Sequence, residues 1–171
     1  MKSKENIVFL GMMGSGKTSI GSLVAKKLNL DFIDIDKEIE KELGLSIKKI
    51  FLNKGEDYFR KFEEKITIKK LRLKPTVISL GGGAFLNSNI RKEVLKNSIS
   101  FWLDINVENL IKRKIIVKKR PLLSGNNFKK TLTEIYTNRK SVYDLADFRI
   151  DCNKFTKEQV VKKIFDIYEN L

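Results

Sequence analysis

The sequence predicts an α/β protein, a three-layer, doubly wound sheet of parallel strands with helices on both faces. Three observations predict it. Short apolar runs alternate with helical patterns along all 171 residues. Most runs are β-branched or aromatic and apolar on both faces, as in a sheet covered from both sides. The intervening segments are long enough to cross back and start a neighbouring parallel strand.

In chain order, the first strand is Ile7–Leu10, and the helix Lys17–Leu28 follows with Ile20, Leu23, Val24 and Leu28 as its apolar residues. Phe32–Ile35 is the second strand, and Glu56–Leu73 is a helix carrying Phe59, Phe62 and Ile66 on one face. Thr76–Leu80 and Ser98–Leu103 are the next strands, and Arg139 lies in a helix ahead of the last strand, Phe148–Asp151. Thr156 and Gln159 have capping-box spacing, and the helix they open repeats Val160, Val161, Ile164, Phe165 and Tyr168 at helical intervals. The length suits one domain, residues 1–171, and there is no internal repeat or low-complexity linker.

Composition excludes several chemistries. There is no histidine, so His-based triads and His metal sites are out. The single cysteine, Cys152, can form no internal disulfide, which points to a reducing compartment. The N-terminal MKSKENIVFLGMMG superficially resembles a signal peptide, but its apolar stretch is short and runs into a glycine-rich motif, so a cytoplasmic protein is expected. No apolar run is long enough to span a membrane. The net charge of +14 predicts anionic partners without choosing among nucleic acid, membrane surface and small acids. Lysine supplies most of that charge, with arginine only at 60, 72, 91, 113, 120, 139 and 149.

Gly11–Thr18, GMMGSGKT, fits G-x-x-x-x-G-K-[ST] between a predicted strand and a predicted helix, the context in which the pattern has meaning. Gly11, Gly14 and Gly16 let the backbone turn its N–H groups onto phosphate oxygens, and the helix N-terminus adds partial positive charge. Lys17 reaches the β- and γ-phosphates, and Thr18 offers a hydroxyl to Mg²⁺. ATP or GTP binding follows.

Asp34 and Asp36 stand two apart, so in extended chain they face the same way at a strand C-terminus, where such sheets bind ligands. One carboxylate could hold Mg²⁺ through water while the other takes a proton; the other reading is an acidic helix N-terminus. Arg60 and Glu63 share a helix face, with Glu64 also in range, which suits Arg60 to grip a carboxylate or simply to form an exposed ion pair. Gly81–Gly83 follow a strand and either admit a ligand against bare backbone or form a plain turn. The basic stretch through Arg120 and Pro121 reads as a mobile segment able to bring arginine to a transferring phosphoryl group, or as a solvated basic face.

Taken together, these residues resemble the shikimate kinase family over nearly the whole chain. GMMGSGKTSIG looks like its phosphate loop, the Asp34–Asp36 pair its D-x-D, and GEDYFRKFEE its G-E-x-x-F-R-x-x-E. SLGGGA looks like its triple-glycine loop, RPLL its lid, and NRKSVYDLAD its R-x-x-x-Y-x-x-x-A segment. The resemblance implies ATP-dependent phosphorylation of the shikimate 3-hydroxyl, in aromatic amino-acid biosynthesis. It implies five parallel strands in the order 2-3-1-4-5, a lid at about 112–126 and an acceptor-binding segment at about 36–63. Lys17, Asp36 and Arg120 would be catalytic, with Asp36 as base. Gly14, Ser15, Gly16, Lys17, Thr18, Ser19, Arg113 and Arg120 would bind ATP, Arg113 near the adenine. Asp36, Arg60, Glu63, Gly81, Gly82, Gly83 and Arg139 would bind shikimate, with Arg60 and Arg139 clamping its carboxylate and Glu63 orienting Arg60. Mg²⁺ would meet Thr18, and Asp34 through water. A monomer with ATP and shikimate as partners, and neither nucleic acid nor membrane, is expected. The chain departs from the family at Asn153–Thr156, which lacks the basic–proline pattern often found there, and in a lid that is lysine-rich and contains IIV. Another small-molecule P-loop kinase, for gluconate or a nucleotide, stays as an alternative. So does a nucleic-acid-binding NTPase, although the basic charge is spread along the chain rather than gathered with aromatic stacking residues.

Overall fold

The computed structural model describes residues 5–73, 75–113 and 128–171. Among them, five parallel strands form one sheet in the order β2-β3-β1-β4-β5: β1 Asn6–Leu10, β2 Asp31–Asp34, β3 Thr76–Ser79, β4 Ser98–Asp104 and β5 Phe148–Asp151. The central strands β1 and β4 are buried along their whole length, which is why Ile7–Leu10 and Phe101–Leu103 read as unbroken apolar runs rather than alternating ones.

Alternation along β4 defines the two covered faces. Phe101 stacks between Phe9 and Phe148, with ring centroids 5.8 and 5.2 Å away. That row faces α1 (Lys17–Leu28) and α7 (Lys157–Glu169), which pack side by side. Gly21 permits the approach, because a methyl group there would come within 2.7 Å of the Phe32 ring and 3.2 Å of the Phe9 ring. Trp102 points to the opposite face, where it meets Tyr143 of α6 (Phe128–Tyr143) at 5.9 Å between centroids. This face is also covered by α4 (Ser88–Asn97), with α3 (Ile47–Leu71) packed beside it.

Two segments differ from the expectation. The second strand ends at Asp34, and α2 (Ile35–Leu43) starts at the next residue, so Asp34 is its N-cap and accepts from the Lys37 amide at 3.3 Å. Asp36 therefore stands in the first helical turn, not in extended chain; the acidic helix start, not strand alternation, describes the local backbone. The helix expected to begin at Glu56 begins at Ile47 and is broken once, at Gly55, whose φ of 78° and ψ of 172° admit glycine readily. The break redirects the chain so that Glu56 opens the half carrying Arg60 and Glu63. The long α3 is tied to the sheet through buried Asn6: its amide donates to the Leu71 carbonyl at 2.6 Å and its oxygen accepts from the Thr76 amide at 2.9 Å.

The arginines without a ligand-binding expectation have structural partners. Arg91 donates to the Phe85 and Leu86 carbonyls, Arg72 pairs with Glu93, and Arg149 pairs with Asp104 and lies over the Trp102 ring. Among the described residues no helix is long and apolar enough to cross a membrane.

Candidate active site

The phosphate loop leaves β1 and enters α1. Gly11, Gly14 and Gly16 all take positive φ, at 134°, 75° and 103°. A methyl group on Gly11 would also strike the Leu103 carbonyl at 2.7 Å, so that position requires glycine on two counts. Helix α1 starts without a side-chain cap. By contrast α2, α3, α4, α5 (Val107–Lys112) and α7 are each capped by a side chain, from Asp34, Ser46, Asn87, Asn106 and Thr156. The first amides of a helix have no partner within it, and here no side chain substitutes for one; such a terminus suits a phosphate.

Lys17 is buried, and its Nζ donates to the Gly11 and Met12 carbonyls at 2.9 Å each. The ammonium is thus held inside the loop whose amides would receive the phosphates. Thr18 donates its hydroxyl hydrogen to Asp34 Oδ2 at 2.6 Å. That contact leaves the lone pairs of Thr18 for a cation and sets a carboxylate beside it. Among the described residues no three acidic, cysteine or histidine side chains gather as a metal cage. One hydroxyl and one carboxylate suit Mg²⁺, which keeps much of its water and takes further oxygens from substrate phosphates. Arg113 ends α5 and donates to the Gly14 and Ser15 carbonyls at 3.2 and 3.0 Å, bringing its charge onto the outer side of the phosphate loop.

The triple-glycine segment after β3 gathers the other residues. A methyl group on Gly81 would lie 2.5 Å from Glu63 Oε1 and 2.8 Å from Asp36 Oδ1. One on Gly83 would lie 2.9 Å from Arg60 Nη1, and one on Gly82 would lie 3.4 Å from the Met13 amide nitrogen and 3.6 Å from Arg139 Nη1. Three bare backbone positions therefore carry Asp36, Glu63, Arg60 and Arg139 against one surface, with the phosphate loop at its border. The extended-chain argument for Asp36 fails, yet the first turn of α2 delivers its carboxylate to the same glycine edge.

Arg60 is held on two sides. Its Nη1 donates to Glu63 Oε2 at 2.7 Å, and its Nε and Nη2 both donate to Glu56 Oε1 at 3.2 Å. Burial, the largest single influence on Arg60, works against its charge, but the two glutamates outweigh it and its pKa is raised. Glu64 turns away: it accepts from Asn87 and Asn89 at 2.7 and 2.8 Å, which fastens α3 to the start of α4 and lowers its own pKa. Arg139 donates to the Gly82 carbonyl at 2.8 Å, and Tyr143, one turn further along α6, donates to the same oxygen.

Glu56 and Tyr143 stand at named positions of the G-E-x-x-F-R-x-x-E and R-x-x-x-Y-x-x-x-A patterns but carry no role in the sequence reading. The four-residue spacing of Glu56 from Arg60 points to their ion pair, whereas nothing local points to Gly82 as the partner of Tyr143. At the end of β4, Asp104 accepts from Tyr136 at 2.8 Å and from Arg149 at 2.7 Å. Burial and then Asp104 push the Tyr136 phenol up to about 12, and burial pushes the Cys152 thiol up to about 12, so neither is a ready nucleophile. Arg120 and most of the expected lid lie outside the described residues.

Comparison with known proteins places the chain in a lineage. Residues 13–169 match the family model for shikimate kinase. A shikimate kinase of Geobacillus kaustophilus is 39% identical over 97% of this chain and 93% of its own. The solved shikimate kinase of Acinetobacter baumannii, in complex with shikimate, superposes with a TM-score of 0.92 at 30% identity, covering 99% of this chain and 95% of that one. That of Aquifex aeolicus gives 0.80 at 36% identity, over 96% of both chains. With a phosphate loop at one border of the triple-glycine surface and a paired arginine–glutamate at the other, and with near full-length likeness in sequence and backbone, the chain belongs to the shikimate kinase family.

Proposed function

We propose that the protein transfers the γ-phosphoryl group of ATP to the 3-hydroxyl of shikimate, giving shikimate 3-phosphate and ADP. The observation that carries the reading is the crowding of Asp36, Glu63, Arg60 and Arg139 around Gly81–Gly83 beside the phosphate loop. A cyclic acid bearing hydroxyls needs such a surface: bare backbone against its ring, guanidinium forks for its carboxylate, and one carboxylate for the reacting hydroxyl.

In this reading the amides at the start of α1 and the Lys17 ammonium bind the phosphates, and Thr18 with Asp34 through water would hold Mg²⁺. The cation, when bound with the nucleotide, supplies positive charge at the phosphate oxygens. Arg60 and Arg139 fix the acid's carboxylate, so its ring can present one hydroxyl toward the phosphate loop. The hydroxyl oxygen forms the new bond to the γ-phosphorus as the bond to the β–γ bridging oxygen breaks, and Asp36 accepts the hydroxyl proton. Phosphoryl transfer through a loose transition state asks for positioning and charge neutralisation more than for covalent chemistry, which suits a site built of forks and amides. Arg120 is assigned to the transferring phosphoryl group by sequence position alone.

ADP release measured with and without shikimate, against a panel including gluconate and nucleosides, tests the reading. Turnover should require shikimate. Asp36→Asn should lower kcat by about 10²- to 10⁴-fold, the range typical of a lost general base. Full activity in that variant would remove Asp36 as base, and turnover on another acceptor alone would overturn the substrate.

A further inference from the structure

We propose that Glu56 competes with the acid's carboxylate for Arg60 and is displaced when the acid binds, so that it sets how tightly this site holds its acceptor. The inference rests on Arg60 being the carboxylate clamp.

The two glutamates on Arg60 differ in kind. Glu63 is 2% exposed and takes Nη1 through a bond of 2.7 Å, within the short range of charge-assisted contacts. It is locked, and Gly83 lies against the guanidinium face, where a methyl group would come within 2.9 Å of Nη1 and 3.0 Å of Nη2. Glu56 is 62% exposed and takes Nε and Nη2 through a single oxygen, at 3.2 Å to each nitrogen. An incoming carboxylate can offer one oxygen to each of those nitrogens, the parallel two-bond pairing that guanidinium favours. The Nε–Nη2 edge is thus the edge of Arg60 whose present partner is both weakly held and free to move into water.

The chain geometry keeps Glu56 within reach without fixing it. Gly55 breaks α3, so Glu56 is the first residue of the second helical half, and its carboxylate reaches Arg60 at the i,i+4 spacing. A rigid partner there would block the acid. A mobile one lowers affinity only by the free energy of an exposed ion pair, equivalent to a factor of about two to five. It also repels a second carboxylate arriving at the same edge.

The test titrates shikimate, shikimate methyl ester and a non-hydrolysable ATP analogue into the wild type, Glu56→Gln and Arg60→Ala. Glu56→Gln should tighten shikimate binding about two- to fivefold and lower its KM in step. It should leave the methyl ester and the ATP analogue unmoved. A side chain that merely supported Arg60 would give the opposite sign, since its loss would loosen the fork. Unchanged or weaker shikimate binding in Glu56→Gln, alongside a clear loss in Arg60→Ala, overturns the competition and leaves the clamp standing. Unchanged shikimate binding in Arg60→Ala removes the clamp itself, and the competition with it.

Discussion

At the scale of single residues, the site depends on positions where there is no side chain. Gly81 does not need a glycine backbone conformation, since its φ is not among the positive values. It needs glycine because two carboxylates occupy the space of its missing methyl. Glu63 is buried and cannot swing into water, so a methyl group there must push it off Arg60 and push Asp36 off the glycine edge. Gly81→Ala should therefore fold and bind an ATP analogue normally while kcat/KM for shikimate falls by about 10²-fold, the size of effect an ångström of misplacement produces. Parallel titrations of nucleotide and acid check it; equal losses on both would show that the phosphate loop, not the acceptor surface, had been disturbed. The same residue shows why Arg60 and Glu63 looked ambiguous in sequence. An arginine and a glutamate three apart usually form a surface pair of little consequence. Only the fold reveals that this glutamate is buried, and only the glycine beside it gives the pair something to orient.

At the scale of elements, local chemistry announced itself and long-range chemistry did not. Helix α1 was legible to its ends because a glycine loop opens it and its apolar residues repeat. The capping box of α7 was legible for the same reason: Thr156 and Gln159 are three apart and answer each other. Helix α2 enters the sequence reading only as the second reading of Asp34 and Asp36, an acidic helix start, and the first half of α3 does not enter it at all. Each is short, each lies between the breakers Gly44 and Gly55 or beside the aspartates, and neither carries a long apolar repeat. The contact that joins α3 to the sheet was invisible, because Asn6 and Thr76 are 70 residues apart. Asn6 satisfies the last carbonyl of α3 and the first amide of β3 in a buried place, so Asn6→Ala leaves both without a partner. That should cost about 2–3 kcal/mol in urea unfolding, because buried polar groups lose their partners. Thr156→Ala, which removes a solvent-facing cap, should cost only about 1 kcal/mol. A loss at Asn6 no larger than at Thr156 would mean the α3–β3 junction repairs itself with water.

At the scale of the whole molecule, a charge of +14 acts on binding and on stability in opposite directions. Both substrates are anions, and a positive field raises their local concentration at the site. The same charges repel one another and work against the compact state. Salt screens both effects, with a Debye length falling from about 30 Å at 0.01 M to about 10 Å at 0.1 M. Raising sodium chloride across that range should thus weaken ATP and shikimate binding while raising the melting temperature. Among the described residues the ion pairs that salt would weaken are mostly exposed at one or both partners, as in Arg72–Glu93 and Lys129–Glu108, and contribute little to stability. The relief of repulsion should prevail. The shikimate arm separates a general field from the local one: if salt weakens ATP binding but leaves shikimate untouched, the acid answers only to Arg139 and to Arg60 with its two glutamates. A melting temperature that falls as salt rises would show instead that the cations are locally neutralised, and that the net charge exerts no collective strain on the fold.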